Sequence, residues 1–547
     1  MGTHSETVRR VRPTADSRFL LKNGFIVDGT GRPGYVGNVL IRGEKIEAVS
    51  RESIDIDCET MDCSGLVISP GFIDAHSHMD WILCIEGFER LKTPYTDQGC
   101  TTFVTGNCGY SPGGYRKNSP YKNMLQLGAD RGFDLYWDTM DELFAHLERT
   151  GLSHNIVHFA GHGTSQASMR GLDPKPLTGE ELNELLFLLE ESMDQGAAGV
   201  SFGLGYEPGI FFPKDHIMSV ARLVKKKNKL ITVHGRAYSC VSGFYEDVST
   251  PHNVLSLREM IEIAEESGVR LQYSHLMFAG SKSHPTYAQC LEELDDAVSR
   301  GVDVKIDTYP YHCGNSIINV ILPPWFLANV PSNYHNPEAV AGVEKGLEAM
   351  SQVVGFGYND IQLTYAGHSE YDPYNGMFIG EISQKRNMRP AQVVLELSEK
   401  TNGRARILNH NYSNMEVVDA LIRHPDCLFM TDAVVSMQGV QNPASFGAFP
   451  LLLQYSRDRK LLSLEEAVYK MTGATAERFN IQDRGFIRAK TAADITVFDW
   501  ENIKDNNTVE QTDRAPTGIE AVFMNGRQVK KDGKVDGAAN AGVVIRN

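Results

Sequence analysis

Residues 67–78 read Val67-Ile-Ser-Pro-Gly-Phe-Ile-Asp-Ala-His-Ser-His78. An apolar run that stops on a carboxylate and two imidazoles is the pattern of a buried strand whose C-terminal end opens on polar chemistry. The texture recurs downstream in Thr101-Thr-Phe-Val-Thr-Gly106, Asn155-Ile-Val-His-Phe-Ala-Gly161, Ala198-Gly-Val-Ser-Phe-Gly203, Leu230-Ile-Thr-Val-His234, Val269-Arg-Leu-Gln-Tyr-Ser-His275 and Val302-Asp-Val-Lys-Ile-Asp307. Amphipathic helical patterns over 179–195, 216–227 and 255–267 lie between these runs. Strand and helix in alternation pair in parallel, and seven or eight such units make an α/β fold of the (β/α)8 TIM-like barrel type rather than an open sheet.

Working outward, the two ends of the chain differ from the middle. Phe19-Leu-Leu, Gly24-Phe-Ile-Val and Val39-Leu-Ile-Arg near the start, and Asp494-Ile-Thr-Val-Phe-Asp, Ile519-Glu-Ala-Val-Phe-Met and Gln528-Val-Lys-Lys near the end, are strand and hairpin material. These ends predict one composite β-sandwich domain made of 18–69 plus 487–547, with the barrel at 70–486 and a flexible polar N-terminus at 1–17. Residues 316–370 break the alternation with Pro323-Pro324-Trp325, Pro331 and Pro337, which predicts an insertion over the barrel mouth.

Composition narrows the function. Of 547 residues, 41% are hydrophobic and 22% charged, which are globular values. Lys+Arg is 53 against Asp+Glu 69, and the net charge of −16 argues against nucleic acid or an anionic membrane as main partner; it says nothing about the substrate, which is expected to be a small molecule on other grounds. Nine cysteines are scattered from Cys58 to Cys427 without a CxxC pair, which fits a reduced, cytoplasmic compartment. Neither a signal-peptide pattern nor an apolar run of about 18 residues is present, so no membrane span is expected. Oligomeric state is left open.

The ligand-type residues share one address. In His76-Ser77-His78, residues i and i+2 of an extended segment project to the same side and can bind one ion. His234 and His275 close apolar strands, Cys108 follows one, and Asp432 follows Leu428-Phe-Met-Thr. Six such residues at strand ends point to a metal site on the C-terminal face, where barrel enzymes keep their chemistry. The mixture of imidazole, thiolate and carboxylate suits zinc and disfavours magnesium or calcium.

This set resembles the amidohydrolase superfamily and, in detail, the D-aminoacylase (N-acyl-D-amino-acid deacylase) family. Ser69–His78 is similar to the superfamily's first-strand signature. Gly106-Asn-Cys-Gly109, Gly161-His-Gly-Thr164, Ala197–Gly209, Asp307-Thr-Tyr-Pro-Tyr311, Phe446-Gly-Ala-Phe-Pro450, Leu462–Thr472 and Ala492–Asp499 are family-like and occur in order. The resemblance implies a tight zinc site of Cys108, His234 and His275, a second, weaker or vacant position at His76 and His78, and Asp432 as the catalytic aspartate. It needs no carboxylated lysine. Activated water would attack the carbonyl, and Asp432 would take a proton and return it to the leaving nitrogen.

One part of the family pattern is missing. The deacylases bind their substrate's α-carboxylate with a tyrosine, a lysine, a serine and an arginine. Tyr309 keeps the tyrosine, but Met277, Asn315 and Ala444 stand in the other three places. A carboxylate buried without a cation is costly. The sequence therefore predicts a zinc-dependent hydrolase of a C–N bond (amide, lactam or imide) whose substrate lacks the usual D-amino-acid carboxylate. The alternative is an N-acyl-D-amino-acid deacylase with a rearranged carboxylate site, in which Arg236, Lys282 or Arg170 supplies the charge.

Overall fold

The computed structural model describes residues 12–85, 91–122, 124 and 135–547; most of the expected flexible N-terminus, residues 1–11, lies outside these. Strands β1 (Arg18–Ile26), β2 (Tyr35–Arg42) and β3 (Lys45–Ser50) form an antiparallel meander, and β4 (Glu59–Asp62) and β5 (Val67–Pro70) both run parallel to β1.

The run Val67–Ile73, expected as one strand, is divided at Gly71. Its first half is β5 of this sheet, and its second half is β6 (Phe72–Asp74), the first strand of the barrel. The Gly71 amide bonds Asp494 O at 2.8 Å, and a Cβ on Gly71 would stand 2.4 Å from the Thr101 side chain. Only glycine lets the chain pass between the two sheets at that distance.

The barrel continues through β7 (Cys100–Thr105), β8 (Asn155–His158) with its short continuation β9 (Ala160–Gly161), β10 (Gly199–Gly203), β11 (Leu230–His234), β12 (Arg270–Tyr273) and β13 (Val304–Thr308). All neighbours pair in parallel. After β13 the chain leaves the barrel at its C-terminal face. It builds β14 (Gly314–Ile317), β15 (Ile361–Tyr365) and β16 (Arg406–Asn409) into a separate antiparallel sheet. With the helices Pro337–Val354 and Pro390–Lys400 this unit has its own apolar cluster, including Ile318, Val343, Leu363, Ile382, Val394 and Ile407. The stretch 316–370 lies inside it. The chain then returns as β17 (Cys427–Phe429), parallel to β13. Backbone bonds from Ala75 N to Phe429 O (3.2 Å) and from Asp432 N to His76 O (2.9 Å) join β17 to β6 and close the ring. Inward-facing Ile73, Val104, Val157, Phe159, Leu230 and Leu428 fill its interior.

Strands β18 (Ile495–Phe498), β19 (Ile519–Met524), β20 (Arg527–Lys531) and β21 (Lys534–Val535) complete the first sheet in the order β21-β20-β19-β18-β5-β1-β2-β3. Three strand spacings of about 4.8 Å separate β1 from β19 in a flat sheet. Yet the Phe19 and Phe523 rings meet at 4.9 Å, and Leu21, Val39 and Ile41 share one core with Val497, Ala521 and Phe523, so the sheet folds back on itself. Buried Asp494 ties it to the barrel by accepting from Asn155 Nδ2 (2.9 Å), Asn525 N (2.6 Å) and Arg484.

Candidate metal centre

His76 and His78 follow β6, Cys108 follows β7, His234 ends β11, His275 follows β12 and Asp432 follows β17. The barrel brings all six together on its C-terminal face. The Cys108 sulfur lies 3.3 Å from His76 Nε2, 3.4 Å from His275 Nε2 and 3.9 Å from His234 Nδ1. His234 Nδ1 and His275 Nε2 are 3.0 Å apart. Asp432 Oδ1 is 3.3 Å from His76 Nε2 and 3.4 Å from His78 Nε2. The sulfur thus belongs to two overlapping groups, Cys108/His234/His275 and His76/His78/Cys108/Asp432, each with its ligand atoms within 4.8 Å of one another.

The backbone that presents these groups is strained. Cys108 (φ +57), His275 (φ +35) and Asp432 (φ +47) are left-handed although none is glycine. Such residues cost on the order of 1–3 kcal/mol each and persist where their surroundings hold them. The surroundings of Cys108 do so on every side. Gly106 N donates to Asp80 Oδ2 (3.2 Å), the Cys108 carbonyl accepts from Tyr206 Oη (2.7 Å), Gly109 N donates to Ser201 Oγ (3.0 Å), and the Gly109 carbonyl accepts from Thr164 N (3.0 Å). Asn107 is fastened through Val104 O and Thr232 Oγ1. Gly109, at φ +76, leaves no room for a Cβ, which would meet Gly203 N at 2.7 Å. His275 N donates to Asp307 Oδ1 (2.6 Å), whose other oxygen accepts from Gln272 (2.8 Å). At the seam between first and last strands, Asp74 accepts from His76 N (3.2 Å), Thr431 N (2.9 Å) and Thr431 Oγ1 (2.6 Å).

Electrostatics prepares the groups for a cation. Burial pushes the His76 and His234 pKa values well below the usual range, so both imidazoles are neutral, the form that ligates. Burial also raises the Cys108 thiol, which a nearby cation would reverse. Burial opposes the charge on Asp432, but His275 and the hydrogen bond with His78 outweigh it and hold the carboxyl well below its ordinary value. For His78 burial opposes the charged form, and the Asp432 hydrogen bond and charge outweigh it and raise the pKa. Burial lifts Asp74 and Asp80 to about 7 and Asp307 to about 8. Among the described residues, the Nδ1 atoms of His76, His78 and His275 are buried without a hydrogen-bond partner. A thiol, four imidazoles and a carboxylate with convergent lone pairs fit a borderline-soft divalent ion.

The wall beside this centre is aromatic. Tyr206 stacks on Tyr110 (5.1 Å) and covers the His234 ring (4.7 Å), while Tyr238 lies 4.9 Å from His234 and 5.1 Å from His275. The Tyr309 hydroxyl has the Met277 thioether as its partner at 3.7 Å. Arg236 is bound through Nε to both oxygens of Glu259 (3.0 Å each), and its other nitrogens donate to Ile210 O and Phe212 O. Asn315 is exposed on β14, and Ala444 is buried at the start of the helix Ala444–Asp458. Lys282 is exposed, and Arg170 pairs with Asp173 and Glu181.

Several site residues had no role in the sequence. Asp74 and Asp307 end apolar strands as the ligands do, and that shared position was the available signal. Ser201 and Tyr206 lie within the family-like stretch 197–209. Asp80 and Thr431 carry no local signal beyond standing one or two residues from His78 and Asp432.

A closed parallel barrel with this ligand set at its C-terminal face defines the class: a metal-dependent amidohydrolase, acting on carbon–nitrogen bonds other than peptide bonds. Residues 390–530 match the model of the amidohydrolase family. The D-aminoacylase of Alcaligenes xylosoxydans xylosoxydans is 28% identical over 535 residues, covering 96% of this chain and 97% of that protein. A solved D-aminoacylase described as having a binuclear metal centre, with one-metal activation and second-metal attenuation, superposes with a TM-score of 0.79 at 26% identity, over 97% of this chain and 99% of that one. The fold is also that of the N-acyl-D-glutamate deacylase of Bordetella bronchiseptica, solved with zinc and a phosphonate inhibitor, at a TM-score of 0.79, 24% identity and coverage of 97% and 100%. Over nearly its whole length the chain is similar to the D-aminoacylases, as a divergent relative of them. No helix among the described residues is long and apolar enough to cross a membrane.

Proposed function

We propose that this protein is a zinc-dependent hydrolase of an amide, lactam or imide whose substrate has no α-carboxylate. Cys108, His234 and His275 would hold the tight ion, and His76, His78 and Asp432 would border a second, weaker position. A bound zinc ion supplies Lewis acidity and lowers the pKa of water towards neutrality. Asp432, kept ionised by the surrounding histidines, accepts the proton of the attacking water and returns it to the leaving nitrogen. His76 and His78, 3.3 and 3.4 Å from its carboxylate, orient it for that exchange. Tyr206 and Tyr238 close the sides of the cleft against bulk water.

The observation that carries the substrate class is the Tyr309–Met277 contact at 3.7 Å. A thioether stands where the deacylases have a lysine, and Arg236 is already neutralised by Glu259. A carboxylate there would be desolvated without a cation, at a cost of several kcal/mol. A second reading, an N-acyl-D-amino-acid deacylase with a rearranged carboxylate site, is favoured by the D-aminoacylase relative. Nine free cysteines support a reduced, cytoplasmic setting.

The test is metal content by mass spectrometry of wild type and Cys108→Ala, together with hydrolysis of N-acyl-D-amino acids beside neutral amides and cyclic imides. Zinc lost with Cys108 and turnover of the neutral compounds alone is the expected result. Rapid hydrolysis of N-acetyl-D-methionine would replace the first reading with the second.

A further inference from the structure

Two residues apart in sequence beside the centre, two buried polar atoms have no hydrogen-bond partner among the described residues: His78 Nδ1 and Asp80 Oδ1. Asp80 is only 2% exposed. Its other oxygen is used, accepting from Gly106 N at 3.2 Å, the amide that opens the Cys108 turn. His158 Nδ1 is 4.0 Å from Asp80 Oδ2. That ring is occupied by Thr105 Oγ1 (2.7 Å) and Ser111 Oγ (3.0 Å), and burial lowers its pKa to about 3, so it carries no charge to offset the carboxylate.

We propose that Asp80 is a positioning residue for both halves of the centre: Oδ2 holds the Cys108 turn through Gly106, and Oδ1 takes the Nδ1–H of His78 when His78 Nε2 turns to an ion. The inference rests on the ligand set proposed above. A histidine ligand needs its second nitrogen fixed, because that fixes the tautomer and ring orientation. Asparagine cannot replace Asp80, since an amide offers one accepting atom where Gly106 N and His78 Nδ1 require one on each side.

The experiment is zinc titration against a chromophoric chelator on wild type, Asp80→Asn and His78→Ala, with cobalt(II) absorption spectra of each and the crystal structure of the zinc-loaded wild type. Asp80→Asn is expected to weaken the position bordered by His76, His78 and Asp432 by about 10–100-fold, and to change its cobalt spectrum, while the ion at Cys108, His234 and His275 stays bound. In the zinc-loaded wild type, His78 Nδ1 is expected within about 3.2 Å of Asp80 Oδ1. Unchanged affinity in Asp80→Asn while His78→Ala loses it would overturn the role of Asp80 and leave the ligand set standing. Zinc binding by none of the proteins would instead remove the ligand set. Should Asp80→Asn not fold, a zinc-loaded wild type in which the two atoms remain apart overturns the proposal.

Discussion

Replacing Thr431 by valine isolates the seam where the barrel closes. The substitution keeps the side-chain shape and deletes one bond, the 2.6 Å donation from Thr431 Oγ1 to Asp74 Oδ2. The backbone bond from Thr431 N to Asp74 Oδ1, 2.9 Å, is retained. Both residues are fully buried, so water cannot replace the lost donor. A hydrogen bond to a buried carboxylate contributes about 1.5–3 kcal/mol. Asp432 follows directly and is held at φ +47, with its amide bonded to His76 O at 2.9 Å. Loosening the seam lets that strained peptide relax away from His76 and His78. If the whole loss falls on the orientation of Asp432, kcat drops about 10- to 150-fold, at 1.36 kcal/mol per decade. The assay is kcat and KM on the best neutral amide or imide of the wild type, with zinc content and the thermal midpoint measured on the same samples. Zinc content and KM are expected within about twofold of wild type. A folded, zinc-loaded Thr431→Val enzyme with unchanged kcat would refute the claim that this seam sets Asp432. A rate loss that merely tracks lost zinc would mean that the seam acts through His76 instead.

Two further outcomes follow from the same structure. Met277→Lys returns a cation beside Tyr309; a charge pair at about 4 Å in a partly buried site can contribute up to about 4 kcal/mol, so after desolvation of the lysine kcat/KM for N-acyl-D-amino acids is expected to rise at least about tenfold while neutral substrates lose, and no gain would show that this position does not face the substrate. Lys470, buried against Ile422 O and His424 O, has its pKa lowered from 10.5 to about 8 by burial. The unfolded chain therefore holds a proton between pH 8 and 10.5 that the folded one has released, so wild type should gain about 3 kcal/mol relative to Lys470→Met as pH rises through that window; a pH-independent difference in thermal unfolding between the two would show that the lysine stays charged in the fold.

The convergence of the candidate ligands was legible because residues that meet at a barrel mouth end apolar strands, and each such ending is visible locally. His76, His78, Cys108, His234, His275 and Asp432 could be picked out one at a time for this reason. Asp74–Thr431, 357 residues apart, could not, since neither residue marks the other. The division of Val67–Ile73 at Gly71 was equally hidden, because what demands it is the Thr101 side chain on the neighbouring strand. Arg236 looked available in the sequence as a substitute cation; its commitment to Glu259 exists only where the loop after β11 packs on the helix His252–Ser267.

The linear chain by itself determined the alternation that makes a parallel barrel, the kind of ligand atoms at its mouth, and the absence of a lysine at Met277. These are local properties, set by residue type and period. Tertiary structure alone decided that the Cys108 sulfur stands between two histidine groups, that three of the candidate ligand residues are held in left-handed backbone, and that one folded sheet joins both ends of the chain. Those outcomes depend on closing the ring between β17 and β6, since distances of 3–4 Å between residues hundreds of positions apart exist only after the last strand has paired with the first.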